Sequence, residues 1–368
     1  MQFIDLQAQY QSLKARIDNR IQTVLEHGKY ILGPEVTELE AQLSRYVGVK
    51  HTITCANGTD ALQLALMTFD VKAGDAVFVP TFTFFASAEV IALAGATPIF
   101  VDVELDTFNL SPQSLEAAIN AVKQESQLNL KAVISVDLFG LPANYEAIDR
   151  IAKQYDLLVI EDAAQGFGGA INSKKAGSFG DIATTSFFPA KPLGCYGDGG
   201  AIFTDNDEYS EKLKSLRVHG KGRDKYDNVR IGLNSRLDTI QAAILLEKLA
   251  VFDDELAARN RVANNYHSAL SDKFFVPTIP QTFGSSWAQY TLQVEHQPEL
   301  QQLLKRYDIP SAVYYQTCMH QQSVFQGNKL YTSLQNAEKL AATVISLPMH
   351  PYLDKQEQTK IIDVLLNN

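Results

Sequence analysis

Cysteine is scarce: three residues in 368, Cys55, Cys195 and Cys318. Three cannot all pair, and their spacing fits neither a zinc site nor a disulfide framework. They read as reduced thiols in a reducing compartment. Positive charge is not in excess either. The formal net charge is −10, whereas a duplex nucleic-acid binder usually carries a basic field. No apolar run approaches the roughly 20 residues of a membrane helix, and no stretch resembles a secretory signal. Neither nucleic acid nor membrane is an expected partner, no metal is expected, and a cytoplasmic location is. Internal repeats and low-complexity tracts are also missing.

What remains is an ordinary globular composition, 46% hydrophobic and 20% charged, long enough for a large α/β domain and a smaller one. Over the first ~240 residues, short apolar runs alternate with helical patterns, the signature of a mostly parallel sheet. Strands are expected at His51–Cys55, Ala76–Val79, Thr97–Val101, Ala132–Val136, Leu157–Ile160, Ile182–Phe188 and Gly200–Thr204. Helices are expected at Gly58–Phe69, Ala86–Ala94, Ser111–Val122, Tyr145–Gln154 and Glu208–Leu216, after an opening helix Leu6–His27 and a loop Gly28–Pro34. Asp238–Ala269 reads as one or two long helices. Beyond it come a strand at Gln289–Val294, a helix at Pro298–Arg306, a strand near Ser311–Tyr315 and a last helix at Lys355–Leu366. The implied division is a large domain over 1–245 and a smaller α+β domain over 246–368.

Four stretches carry chemistry. Asn57-Gly58-Thr59-Asp60 follows a strand and opens a helix, whose first amides suit a phosphate; a plain helix cap reads the same way. Glu161-Asp162 ends an apolar run, where carboxylates in open α/β sheets face ligands or simply cap the next helix. Ser186-Phe-Phe-Pro-Ala-Lys191-Pro-Leu-Gly-Cys-Tyr-Gly-Asp-Gly-Gly200 sets one lysine between two prolines ahead of a glycine-rich turn. A lysine stiffened and buried in this way can be held partly unprotonated to attack an aldehyde. Its glycine order is not a dinucleotide fingerprint, so a nicotinamide enzyme is disfavoured. Thr81-Phe82-Thr83-Phe84-Phe85-Ala86-Ser87 offers an aromatic ring for a flat cofactor, while two of its three phenylalanines are expected in the core.

Together and in this order, these stretches resemble the DegT/DnrJ/EryC1/StrS sugar aminotransferases. The likeness runs from the opening helix to Leu347-Pro-Met-His-Pro351. It implies the aspartate-aminotransferase architecture (fold type I), pyridoxal 5′-phosphate as cofactor, pyridoxamine 5′-phosphate as its amino form, and a homodimer with shared sites. By this resemblance Lys191 is the Schiff-base lysine and proton shuttle. Asp162 partners the pyridine nitrogen and Gln165 the phenolic oxygen. Gly58, Thr59 and Ser186 bind the phosphate, Phe84 covers the ring, and Asn234 reaches the phosphate of the other subunit. Relatives with histidine in place of this lysine are dehydratases, so Lys191 favours transamination, with L-glutamate as amino donor.

The runs around Lys191 and Asn234 look like those of enzymes that aminate C3 of UDP-2-acetamido-3-ketoglucuronic acid for lipopolysaccharide O-antigen. Amination at C4 of a UDP-linked 4-keto-6-deoxy sugar is the alternative, and a cofactor-binding sensor without catalysis the non-enzymatic one. A uronate needs a cation. The cluster Arg217, His219, Lys221, Arg223, Lys225 and Arg230 supplies candidates, or else a solvated charged loop. Tyr314 and His320 are candidate sugar contacts, or a core tyrosine and a surface histidine. Their segment, Tyr314-Tyr315-Gln-Thr-Cys-Met-His320, departs from the family's usual His-Tyr-Pro-x-Pro-Leu.

Overall fold

The computed structural model describes residues 1–224 and 226–367. Helices α1 (Leu6–His27) and α2 (Pro34–Val47) lead into β1 (His51–Cys55), α3 (Gly58–Thr68), β2 (Asp75–Pro80), α4 (Ala86–Leu93), β3 (Thr97–Val101), α5 (Pro112–Glu125), β4 (Asn129–Val136), α6 (Tyr145–Tyr155) and β5 (Leu158–Asp162). A short hairpin, β6 (Ala170–Ile171) and β7 (Lys174–Lys175), precedes β8 (Ile182–Ser186), β9 (Gly200–Thr204) and α7 (Asp207–Leu216). Then come α8 (Thr239–Leu249), α9 (Phe252–Leu270), β10 (Phe283–Gly284), β11 (Tyr290–Gln293), α10 (Gln297–Arg306), α11 (Gln335–Thr343), β12 (Val344–Leu347) and α12 (Lys355–Asn367).

Seven strands form one sheet in the order β1-β9-β8-β5-β4-β2-β3. Only β9 runs against its neighbours, so six carboxyl ends share one edge. The strands are apolar on both faces because helices cover both. In β2, Val77 and Val79 pack with α3 and α4, while Ala76 and Phe78 pack with α5 and α6. This is the architecture the sequence led one to expect.

The structure differs from expectation at four places. α2 begins where a loop was expected to end: Pro34 occupies the first helical position, where its missing N–H costs nothing. Val36, Leu39, Leu43 and Val47 then face the core. Residues 311–315 form no strand, only a single bridge from Ala312 to Ser346 on the free edge of β12, because the chain turns away at Tyr314 and Tyr315. α11 and β12 went unforeseen.

The boundary expected at 245/246 lies within α8, whose Ala242, Leu245 and Leu246 pack with Phe187 and Phe203. Along α9, Phe252 and Leu256 join that same cluster, while Val262, Ala263, Tyr266 and Leu270 pack with Tyr290, Leu292 and Ile361. Cys55, Cys195 and Cys318 are buried free thiols. No helix among the described residues is long and apolar enough to cross a membrane.

Candidate active site

The shared carboxyl edge brings the expected residues together. Asp162 ends β5 and Ser186 ends β8, while Gly58 opens α3 just beyond β1. Asn57 caps α3: its Oδ1 accepts the Asp60 N–H at 2.8 Å and its main-chain O accepts that of Ala61 at 3.1 Å. Helix geometry leaves the amides of Gly58 and Thr59 without partners inside the helix. Ser186 lies against Gly58, so close that a Cβ built there would stand 2.7 Å from the serine Cβ and 3.1 Å from its Oγ. Two free amides and a hydroxyl around a position that must lack a side chain form an anion cradle.

Asp162 is buried, and both of its oxygens are engaged. Oδ2 accepts from Ser87 Oγ at 2.9 Å and Oδ1 from the Ala164 N–H at 3.2 Å. Burial raises its pKa, and these two bonds and the nearby Lys191 oppose the rise. Burial likewise lowers the pKa of Lys191, with Asp162 pulling the other way. The amine and the carboxylate are thus near enough to bias each other, and the amine is biased toward its neutral, nucleophilic form.

Gln165 is buried. Its Oε1 accepts the Phe139 N–H at 2.8 Å, and its Nε2 donates to Tyr315 Oη at 3.2 Å. Phe82 is buried and Phe85 packs against the core, but Phe84 is 55% exposed, its ring 6.2 Å from that of Tyr315. An aromatic face left open here suits stacking on a flat ligand. Tyr315 is the site residue that sequence reasoning missed. It touches Phe82 and Phe84, and Asp162 biases its hydroxyl. Its signal lay in the divergent segment, where attention went to Tyr314. Tyr314 is only half-buried and packs 6.3 Å from Phe3.

The cation cluster divides. Arg217 is not available to a ligand: it is buried, and its Nη1 donates to Glu40 Oε1 at 2.6 Å and to Thr54 O at 2.8 Å. His219, Arg223 and Arg230 are instead exposed on a hairpin closed by bridges Val218–Asn234 and Lys221–Asn228. Lys225 lies outside the described residues. Asn234 is exposed at the hairpin base, and the adjacent buried Ser235 accepts the Ala56 N–H at 3.1 Å. His320 is neither a surface histidine nor a free sugar contact. Its Nδ1 pairs with Thr81 Oγ1 at 2.7 Å and its Nε2 with Glu338 at 3.1 Å, which pins the segment after Tyr315 onto the end of β2.

These groups fit a phosphate-bearing aromatic aldehyde: a cradle for the phosphate, a carboxylate for a ring cation, an open aromatic face and a lysine that burial biases toward its neutral form. Fold and site define an aminotransferase of fold type I. The chain belongs to the DegT/DnrJ/EryC1/StrS aminotransferase family, whose pattern matches residues 11–366. It is 47% identical to the UDP-2-acetamido-2-deoxy-3-oxo-D-glucuronate aminotransferase of Pseudomonas aeruginosa, over 100% of each chain. Among solved structures, a family aminotransferase from Brucella abortus is 51% identical, with a TM-score of 0.99 over 100% of this chain and 99% of that one. NtdA of Bacillus subtilis, solved with bound pyridoxamine phosphate, is 29% identical, with a TM-score of 0.89 over 99% and 82%.

The cradle makes a direct prediction. In Gly58→Ala the added methyl displaces Ser186, and affinity for pyridoxal phosphate in equilibrium dialysis falls roughly tenfold, equivalent to about 1.4 kcal/mol. Unchanged affinity would remove Gly58 and Ser186 from the phosphate site.

Proposed function

We propose that this chain is a pyridoxal-phosphate-dependent sugar-nucleotide aminotransferase. It moves the amino group of L-glutamate to C3 of UDP-2-acetamido-2-deoxy-3-oxo-D-glucuronate, in the cytoplasm, to supply amino sugars for lipopolysaccharide O-antigen. The observation that carries the reading is the half-buried Lys191 paired with the buried Asp162, beside the Gly58–Ser186 cradle. The full-length likeness to the 3-oxo-glucuronate enzyme supports the choice of substrate.

When bound, the cofactor supplies an aldehyde carbon that takes up the amine and a ring that draws electrons from the substrate's Cα. The chain's own residues do the rest. The amides of Gly58 and Thr59 with Ser186 Oγ bind the phosphate. Asp162, fixed by Ser87 and Ala164, would keep the ring nitrogen protonated. Gln165 Nε2, which donates to Tyr315 Oη, would serve the phenolic oxygen, and the exposed Phe84 would cover the ring. Lys191 Nζ would take the proton from Cα of the donor and release it within the same half of the reaction, and in the second half it would deliver one to C3 of the sugar, so that it acts as base and acid in each half.

Asn234 completes the partner subunit's phosphate site in a homodimer. The exposed apolar side chains beside it, Ile231 at 87% and Val229 at 55%, support a covered hairpin. On the same hairpin, Arg230 and His219 serve the uronate carboxylate, with Tyr314 bordering the sugar.

The test is turnover with L-glutamate against UDP-linked 3-keto uronate and 4-keto-6-deoxy sugars, with products identified by mass. Amination of the 3-keto uronate at the higher kcat/KM is expected. Preference for the 4-keto sugar would overturn the C3 assignment, and no turnover with any keto sugar would overturn the substrate class.

A further inference from the structure

Helix α8 is buried almost all round, and its one lysine, Lys248, is 1% exposed. Lysine is almost never fully buried unless something holds its ammonium group. Here Nζ donates to Gly194 O at 2.6 Å and lies 4.1 Å from the centroid of the Tyr196 ring. Burial draws its pKa down to about 8, with Glu255 and Cys195 opposing, so the group still carries its charge at neutral pH and the bond is charge-assisted. Two turns earlier on the same face, Gln241 brackets Tyr196 from both sides. Its Oε1 accepts the Tyr196 N–H at 2.8 Å, and its Nε2 donates to Tyr196 O at 3.3 Å.

Gly194 and Tyr196 belong to the loop that carries Lys191. That loop is tightly wound: the Lys191 N–H bonds Phe188 O at 2.8 Å, and the Cys195 N–H bonds Phe187 O at 2.8 Å. A Cβ on Gly194 would stand 2.5 Å from Pro189 O and 2.6 Å from Phe188 O. Backbone packed so closely has no room to yield, so a shift of Gly194 passes through Phe188 and Pro189 to Lys191. On its outer side α8 is fixed by α1 and α2.

We infer that Lys248 is a positioning residue: it clamps the Gly194 carbonyl so that the loop presents the Lys191 amine in one place for covalent capture of the cofactor aldehyde. The inference rests on Lys191 being the capturing residue.

The test uses cofactor-free full-length protein and Lys248→Met, which keeps the length of the side chain without its charge or donor. Pyridoxamine 5′-phosphate has no aldehyde, so its affinity reports the pocket alone. The rate at which pyridoxal 5′-phosphate becomes linked to Lys191, trapped with borohydride and read by peptide mass, reports the position of the amine. The variant should link about tenfold more slowly, the equivalent of about one charged hydrogen bond, while its affinity for pyridoxamine phosphate stays within about twofold.

Equal linking rates would overturn the clamp. So would parallel losses in both measurements, which mark a merely structural role. If Lys248→Met does not fold, Gln241→Leu releases the same loop at Tyr196 from a half-buried position, and the same split is expected. Wild-type protein that binds pyridoxamine phosphate but never links the aldehyde at Lys191 would overturn both this inference and the role given to Lys191. Normal wild-type linking with an unchanged variant overturns the clamp alone.

Discussion

Lys191→Ala should lower turnover by at least about 100-fold and toward about 10,000-fold, the range expected when a positioned acid–base group is lost. The visible band of the holoenzyme should go with it. Affinity for pyridoxamine phosphate should largely survive, because the cradle of Gly58, Thr59 and Ser186 does not depend on the lysine. Folding should survive too. Burial lowers the pKa of Lys191, so the folded protein disfavours the charge that the unfolded chain carries freely, a cost that alanine removes. The cofactor-free variant should therefore melt at the same temperature as wild type or higher. A variant that keeps more than a tenth of wild-type turnover would dismiss Lys191 as the proton carrier. One that melts much lower would recast it as a structural residue.

Asp162→Asn is the second large effect. The amide keeps the size of the carboxylate but cannot hold a positive ring nitrogen. The expected loss in kcat is about 100- to 1,000-fold, typical of removing one preorganised electrostatic partner. Stability again moves the other way. The folded-state pKa of Asp162 is raised, so its charge costs stability above the unfolded pKa, and that cost fades as pH falls through the folded value. Asparagine carries no such cost. Thermal melts of the cofactor-free proteins should show the variant gaining on wild type as pH rises through the acid range, and the two converging at low pH. A kcat within threefold of wild type would remove Asp162 from the ring nitrogen. Parallel pH profiles would mean that its burial carries no electrostatic penalty. Both substitutions express one trade-off: charges buried for chemistry weaken the fold that holds them.

How much of this was legible beforehand depended on the range of the forces involved. The bounds of β1, β3 and β9 matched expectation to the residue, because short runs of β-branched and apolar residues ended by turn residues mark buried strands. Asp162, Ser186 and Gly58 were legible because each sits at the end of a strand or the start of a helix, and Lys191 because prolines and glycines frame it in the loop after β8. Such positions are set by local sequence, and the pattern of the whole set is that of a family. That one of the three rings in Phe82–Phe85 stays exposed was expected from the sequence, and the family resemblance pointed to Phe84.

Other features depend on partners far away in the chain. The cap of α11 comes from Asp102, whose Oδ1 accepts the Ala337 N–H at 2.8 Å across 235 residues of sequence. No local signal near Gln335 announces it. Arg217 looked like a free cation until Glu40 and the carbonyl of Thr54 closed on it, and His320 looked like a surface side chain until Thr81 and Glu338 took both its nitrogens. Tyr315 entered the site only because the chain returns from the small domain over the ends of β2 and β5. The amino-acid order by itself determined the sheet and its helices, since hydrophobic periodicity is short-range, and its likeness to a family singled out the lysine and carboxylate proposed for the site. Tertiary structure alone decided which cations stay free, which tyrosine meets the cofactor pocket and what holds the lysine loop, because burial and ion pairing depend on whichever distant residues the fold brings within a few ångströms.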